Sequence, residues 1–376
     1  MRYAPKLGTG FVVVGVVGFA VMAAAPAGAA RPTPQATIKH RVLSIQGTDA
    51  ADRIALRLST DGQSTIEVDL GDDGTADFSF GRHRVARINV DLLAGDDLVR
   101  IDEVNGAFTD SIPTTLAGAD GNDTLIGGSG PETLTGGAGN DSIAGNRGAD
   151  IAFMGAGDDT FVWNPGDASD VIEGQSGTDA MVFNGSNVQE HFALSANGVR
   201  LRFVRDVAVV VMDVDGVERV DVAARGGADI VSVNDLAGTA VREVHVNLAG
   251  DGGAGDVQTD RVVVNGSAGS DAVAIVGSAG SAQTMGLAVA VSVTNADHAV
   301  DMLTVDLQAG DDVADASGLA ADSLLLTLSG GAGDDVLIGG AGNDTLLGGG
   351  GDDVLIGGPG QDVLDGGSGD NVLIQD

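Results

Sequence analysis

GGAGDDVLI (330–338), GGAGNDTLL (339–347), GGGGDDVLI (348–356), GGPGQDVLD (357–365) and GGSGDNVLI (366–374) follow one another without a break. Glycine holds positions one, two and four of every nine, leucine holds position eight, and Asp holds position six until Asn371 replaces it. Glycine has no Cβ, so it turns through positive φ where other residues clash. Positions seven to nine are left as a strand too short to stand alone. Such strands persist only by stacking on copies of themselves, so the array is read as a solenoid. Alternation along each strand sends position eight one way and positions seven and nine the other. Leu337, Leu346, Leu355, Leu364 and Leu373 are then an internal ladder, while Val336, Ile338, Leu347 and their equivalents form an outward apolar strip.

The pattern, GGxGxDxUx with U a large apolar residue, resembles the RTX (hemolysin-type) calcium-binding nonapeptide family. That resemblance implies a parallel β-roll in which two nonapeptides make one turn and copies two apart lie above one another. Carried onto this sequence, Asp335, Asp353 and Asn371 line one edge and Asp344 and Asp362 the other. Carboxylates stacked about 4.8 Å apart repel by roughly 1–3 kcal/mol per pair. A hard divalent cation with oxygen ligands turns that repulsion into binding, and loop carbonyls supply further oxygens; an irregular, carbonyl-rich cage suits Ca2+ better than Mg2+. Solvated acidic turns that bind nothing would leave the strict period unexplained.

A second, more worn array occupies 118–182: GADGNDTLI, GGSGPETLT, GGAGNDSIA, GNRGADIAF and MGAGDDTFV, an interruption at 163–173, then GQSGTDAMV. Its expected metal ligands are Asp123, Asp141, Asp150, Asp159 and Asp179. Glu132 stands where the second copy should have Asp, and its longer side chain weakens the case for that site.

Between the arrays a larger unit recurs. G-x-x-x-x-acid-x-apolar-x-apolar appears at 47–56, 185–194 and 266–275, followed by LAGDDLV (93–99), RGGADIV (225–231) and QAGDDVA (308–314). This gives β-rich modules at 47–117, 183–265 and 266–329 and arrays at 118–182 and 330–376. β-branched runs punctuated by turn residues mark strands throughout, and no capped helix is spelled. The expected fold class is all-β, a parallel β-roll or β-helix solenoid with interspersed β-rich modules. Residues 31–46 read as a linker. Residues 1–30, with Arg2 and Lys6 before an apolar stretch and Ala27-Gly28-Ala29, read as a secretory signal peptide.

Formal charge is −35, from 19 basic and 54 acidic residues. Such a surface repels nucleic acid and anionic membranes and favours cations. From Val262 onward there is no Lys or Arg. With no cysteine, an exported chain this poor in aromatics has no disulfides, and bound metal can take their role. DLGDDGTAD (69–77) has the flavour of an acidic calcium loop, but Gly71 and the lack of a following Glu make an Asp-Gly hairpin turn the better reading. The five histidines form no HExxH and no GxSxG occurs, so neither a zinc protease nor a lipase elbow is spelled.

The leading functional expectation is a secreted Ca2+-binding repeat protein that folds on binding calcium and serves as a non-catalytic surface, matrix or adhesion component. Its partners would be calcium ions, with a cell-surface or matrix polysaccharide, or a second copy of itself, behind them. The alternative is a polysaccharide epimerase or lyase, since enzymes of this broad family carry similar arrays on β-helical modules. Against it, Lys39 is the only Lys after the signal, no aromatic residue follows Phe203, and only the strand bearing Arg200 and Arg202 and the Arg82-His83-Arg84 cluster offer basic groups. A pore-forming toxin would need a large apolar helical region, which is missing from the sequence.

Overall fold

The computed structural model describes residues 33–61 and 64–375; the proposed signal peptide lies outside them. Every long element is a β-strand, and the strands fall into two sheets between which the chain passes back and forth. Thr114–Asp120 lies in the first sheet, Thr124–Ile126 in the second, Glu132–Ala138 in the first again. In the arrays each strand pairs in parallel with the one a full turn away: Thr124 faces Ser142, which faces Thr160. The separation is 18 residues, two nonapeptides per turn. The all-β parallel roll expected from the repeats is therefore the fold.

The modules are not separate bodies between two rolls. Their strands continue the same two sheets, in turns that lengthen from 18 to 26, 39 and 45 residues. In each, the extra chain forms an antiparallel meander laid into a sheet: Arg53–Leu58, Thr65–Leu70 and Phe78–Gly81; His191–Asn197, Arg200–Arg205 and Val210–Asp215; Ala272–Gly277, Ala282–Met285 and Ala290–Thr294. The recurring G-x-x-x-x-acid element opens all three. Its acid takes the main-chain N–H four residues earlier: Thr48 to Asp52 (2.6 Å), Ser186 to Glu190 (2.7 Å), Ser267 to Asp271 (2.7 Å). In the first meander DLGDDGTAD is the hairpin turn, with Asp69 accepting the N–H groups of Asp73 and Gly74.

The stretch expected as a linker is instead a cap. Gln35–Lys39 and Val42–Gln46 form an antiparallel hairpin, and the latter strand pairs in parallel with Arg87–Asp91. RPTPQAT suggests an unstructured tether. The following VLSIQ, with Leu43 and Ile45 buried, has the alternation of a half-buried strand that covers the first turn.

The core is a single file between the sheets. Leu125, Ile143, Phe161 and Met181 from one face meet Leu116, Leu134, Ala152 and Ile172 from the other, all fully buried. In the C-terminal array Leu337, Leu346 and Leu355 are fully buried, but Leu364 is only partly so and Leu373 is 48 % exposed. The expected five-rung ladder thus has three closed rungs, because Val363–Asp365 and Val372–Ile374 each pair with a single strand.

Where the second meander widens the roll, aromatic side chains fill the gap. Trp163 stacks on Phe183 at 4.1 Å, and Phe183 leans on Phe203 at 4.4 Å. The guanidinium of Arg205 lies over Trp163, 5.2 Å from the ring centre, and its Nε donates to Glu190 at 2.6 Å. Both members of this ion pair are buried. Removing one partner strands the other charge, so Arg205→Met is expected to cost about 3–5 kcal/mol, read as a lower urea midpoint in saturating calcium.

Candidate metal ladders

Most of the parallel strands are entered through a tight turn whose last residue is acidic. The main-chain N–H of that acid donates to the side-chain oxygen of the acid one turn further on. Along one edge of the roll the chain of bonds runs Asp52 to Asp97 (2.6 Å), Asp97 to Asp123 (2.9 Å), Asp123 to Asp141 (2.8 Å), Asp141 to Asp159 (2.7 Å), Asp159 to Asp179 (2.9 Å) and Asp179 to Glu218 (2.8 Å). Arg242 and Val289 then stand in the rung positions ahead of Glu243 and Ala290. The ladder resumes from Asp271 through Asp312, Asp335 and Asp353 to Asn371 at 2.7–2.9 Å. On the opposite edge Glu132, Asp150 and Asp170 form one run (2.7 and 2.9 Å) and Asp344 and Asp362 another (3.0 Å). The candidate ligands of both arrays therefore line up two copies apart on two edges. Glu132, for all its extra methylene, is a buried rung among them.

In this bond each Asp uses Oδ1. The second oxygen, Oδ2, is buried and has no hydrogen-bond partner at Asp123, Asp141, Asp150, Asp159, Asp335 and Asp353, and likewise at Asp97, Asp170 and Asp312. A buried polar atom without a partner costs on the order of 1–3 kcal/mol, more when charged, so a row of them calls for a ligand. Within the nonapeptides these oxygens point at position-one glycines, as Asp123, Asp141, Asp150, Asp335 and Asp353 do at Gly118, Gly136, Gly145, Gly330 and Gly348. A Cβ on Gly136 would lie 2.3 Å from Asp141 Oδ2 and 2.3 Å from the Met154 carbonyl oxygen; on Gly118, 2.2 Å from Asp123 Oδ2 and 2.7 Å from the Gly136 carbonyl. Carboxylate and carbonyl oxygens from neighbouring turns thus converge at these steps. Position four has another reason for glycine: Gly139 has φ +130° and Gly351 +146°, where a side chain is strained whatever the space.

Burial, then neighbouring carboxylates, raises the acids above the ordinary range. Asp97, Asp335 and Asp344 are pushed up to about 6 and Asp141, Asp170 and Asp179 to about 7. Asp150, between Glu132 and Asp170, is pushed up to about 9. Among the described residues no three acidic or histidine side chains converge on one point. A cation in these steps would therefore draw on one or two carboxylates and complete its shell with main-chain carbonyls. An all-oxygen set of this kind fits calcium.

Alanine has no difficulty with the backbone at Gly348, but its Cβ would sit 2.3 Å from Asp353 Oδ2. Gly348→Ala is expected to weaken calcium binding at that step about tenfold, or ~1.4 kcal/mol, as read by calorimetric titration, while leaving the N-terminal array untouched.

The sequence pattern treats position five as free. In the structure it is a second ladder: the side-chain oxygens of Asn122, Asn140, Asp334 and Asp352 accept the N–H of position five in the following turn, at 2.7–2.9 Å. Position six accepts from the preceding turn, so the two ladders clamp adjacent turns in opposite senses. The signal was present, since position five of the C-terminal array reads Asp, Asn, Asp, Gln, Asp. Asp97, Asp170 and Asp312 were missed because they lie outside complete nonapeptides, yet each directly precedes an alternating apolar strand.

The sequence model of the RTX calcium-binding nonapeptide repeat matches the chain four times, at residues 114–130, 126–161, 327–355 and 338–373. The chain therefore carries RTX calcium-binding repeats in both arrays, and the copy containing Asp179 lies beyond the matched residues. No curated protein matches the chain. No helix among the described residues is long and apolar enough to cross a membrane.

Proposed function

We propose that this RTX-repeat chain is an exported, non-catalytic protein that folds as calcium fills its acid ladders and serves as a surface, matrix or adhesion component. The observation that carries the reading is the row of buried Oδ2 atoms with no partner. Asp123, Asp141, Asp150, Asp159 and Asp179 would hold ions in the first array, and Asp335, Asp344, Asp353, Asp362 and Asn371 in the second. Bound calcium supplies positive charge between turns; the chain supplies the spacing, the carbonyls and the exclusion of water.

Support for the non-catalytic part comes from how several of the basic groups are held. Arg200 is paired with Glu173 (3.0 Å) and Asp213 (2.5 Å), Arg57 with Glu67 (3.2 Å) and Asp69 (2.7 Å), and Arg100 with Asp72 (2.7 Å) and Asp102 (2.9 Å). Guanidinium groups held this way are occupied by the protein's own acids. Export supplies calcium at the level that such modules need, about 10⁻⁴–10⁻³ M. Titrating calcium into metal-free protein at neutral pH is expected to give a cooperative gain of β signal by circular dichroism. A spectrum that does not change across the titration overturns the proposal.

A further inference from the structure

Between the two arrays, where the repeat pattern is not spelled, the acid ladder continues on the second edge. Asp229, Asp260 and Asp301 immediately precede the strands Ile230–Val233, Arg261–Asn265 and Met302–Asp306, which pair in parallel and in register. Each acid is 1 % exposed. The bonds have the sense of position six: Glu190 N–H to Asp229 Oδ1 (2.8 Å), Asp229 N–H to Asp260 Oδ1 (2.8 Å), Asp260 N–H to Asp301 Oδ1 (2.9 Å).

The three rungs differ in their second oxygen. Asp301 Oδ2 accepts the N–H of Asp297 at 2.6 Å, so that carboxylate is complete. Asp229 Oδ2 and Asp260 Oδ2 are buried and have no hydrogen-bond partner. They stand on adjacent strands, about 4.8 Å apart by sheet spacing. Arg261, next to Asp260, turns its guanidinium to Thr304 Oγ1 at 3.3 and 3.4 Å, and Arg225, four residues before Asp229, pairs with Asp251 at 3.5 Å. Asp256 adds negative charge beside both, its Oδ2 fixed by the N–H of Gly227 at 2.9 Å. Two unpartnered carboxylate oxygens in a buried step with no facing base are the same chemistry that the nonapeptides present, reached from a different sequence.

We propose that the step between Asp229 and Asp260 is a further calcium site, held by their two Oδ2 atoms and main-chain carbonyls, in a stretch with no nonapeptide. The proposal rests on the calcium reading of the arrays and extends it: ions bind along the roll wherever acids stack, not only where glycines repeat. The sequence cue is an acid directly before an alternating apolar strand, as in DIVSV and DRVVV.

The test is the number of calcium ions bound per full-length chain, by equilibrium dialysis with metal analysis at saturating calcium. Asn keeps the Oδ1 acceptor and removes the charge, as Asn371 does naturally at the end of its ladder. Asp229→Asn with Asp260→Asn is expected to lose at least one ion, whereas Asp49→Asn, an exposed acid, loses none. Asp335→Asn with Asp353→Asn reports on the array separately. An unchanged count in the first pair beside a reduced count in the second overturns the new site and leaves the array reading standing. A wild-type chain that binds no calcium overturns both. Should the double variant miss the wild-type circular dichroism spectrum in saturating calcium, Asp260→Asn alone is measured against the same expected loss.

Discussion

Metal-free protein is expected to gain stability when it is acidified from pH 7.5 to 5.5, the reverse of ordinary acid denaturation. The ladder carboxylates have an unfolded value near 3.9, and in the fold burial lifts many of them to about 6 or 7. Between those limits the folded chain binds more protons than the unfolded one. Stability therefore falls as pH rises from about 4 to about 7 and is lowest above that window. Neutralising acids in a chain of net charge −35 also relieves self-repulsion, with the same sign. Calcium reverses the dependence. It needs the ionised oxygens, so protons compete with it and its affinity drops as pH falls through 7 to 6. Circular dichroism of dialysed protein at both pH values, with urea midpoints of calcium-saturated protein, checks this; a metal-free β signal that falls on acidification would sink it.

Asp353→Ala and Asp353→Asn are expected to separate the two jobs of a rung. Asp353 Oδ1 accepts the N–H of Asp335 at 2.9 Å, while Oδ2 has no protein partner. Asn keeps the first function and loses the charge, so its cost should appear almost wholly as weaker calcium binding. Ala loses both and leaves a buried N–H unpaired, adding about 1–3 kcal/mol. In metal-free protein at pH 5.5 the Asn variant should retain more β signal than the Ala variant, because it keeps that hydrogen bond. Equal behaviour of the two would mean that the hydrogen-bond ladder contributes nothing.

Much of this site was legible because glycine and aspartate at a fixed period have few physical solutions. Two copies per turn, the two edges and the rung residues Asp335, Asp344 and Asp353 followed from the repeat and the family it resembles. The modules were harder. Their turns vary in length because antiparallel meanders are laid into the sheets, so Asp97, Asp229 and Asp312 fall out of register in sequence while remaining in register in space. The hairpin at 35–46 is hard to see in the sequence because Pro and Gln open the stretch and its strand signal is only the alternation of Leu43 and Ile45. The exposure of Leu373 depends on how many neighbours its strand has, which a local pattern does not encode.

The opposed ladders at positions five and six have a mechanical consequence. Each turn is held to the next by paired hydrogen bonds, by sheet contacts and, on the calcium reading, by shared ions, with few contacts to anything further away. Pulled along its length, such a stack would give way one turn at a time, each 18-residue turn paying out about 60 Å of chain and releasing its ions. Because every turn still in place presents the acceptors for its lost neighbour, slack chain would wind back on when the load is removed. For a protein proposed to work at a surface, the repeat is then a reversible extender whose stiffness is set by the calcium around it.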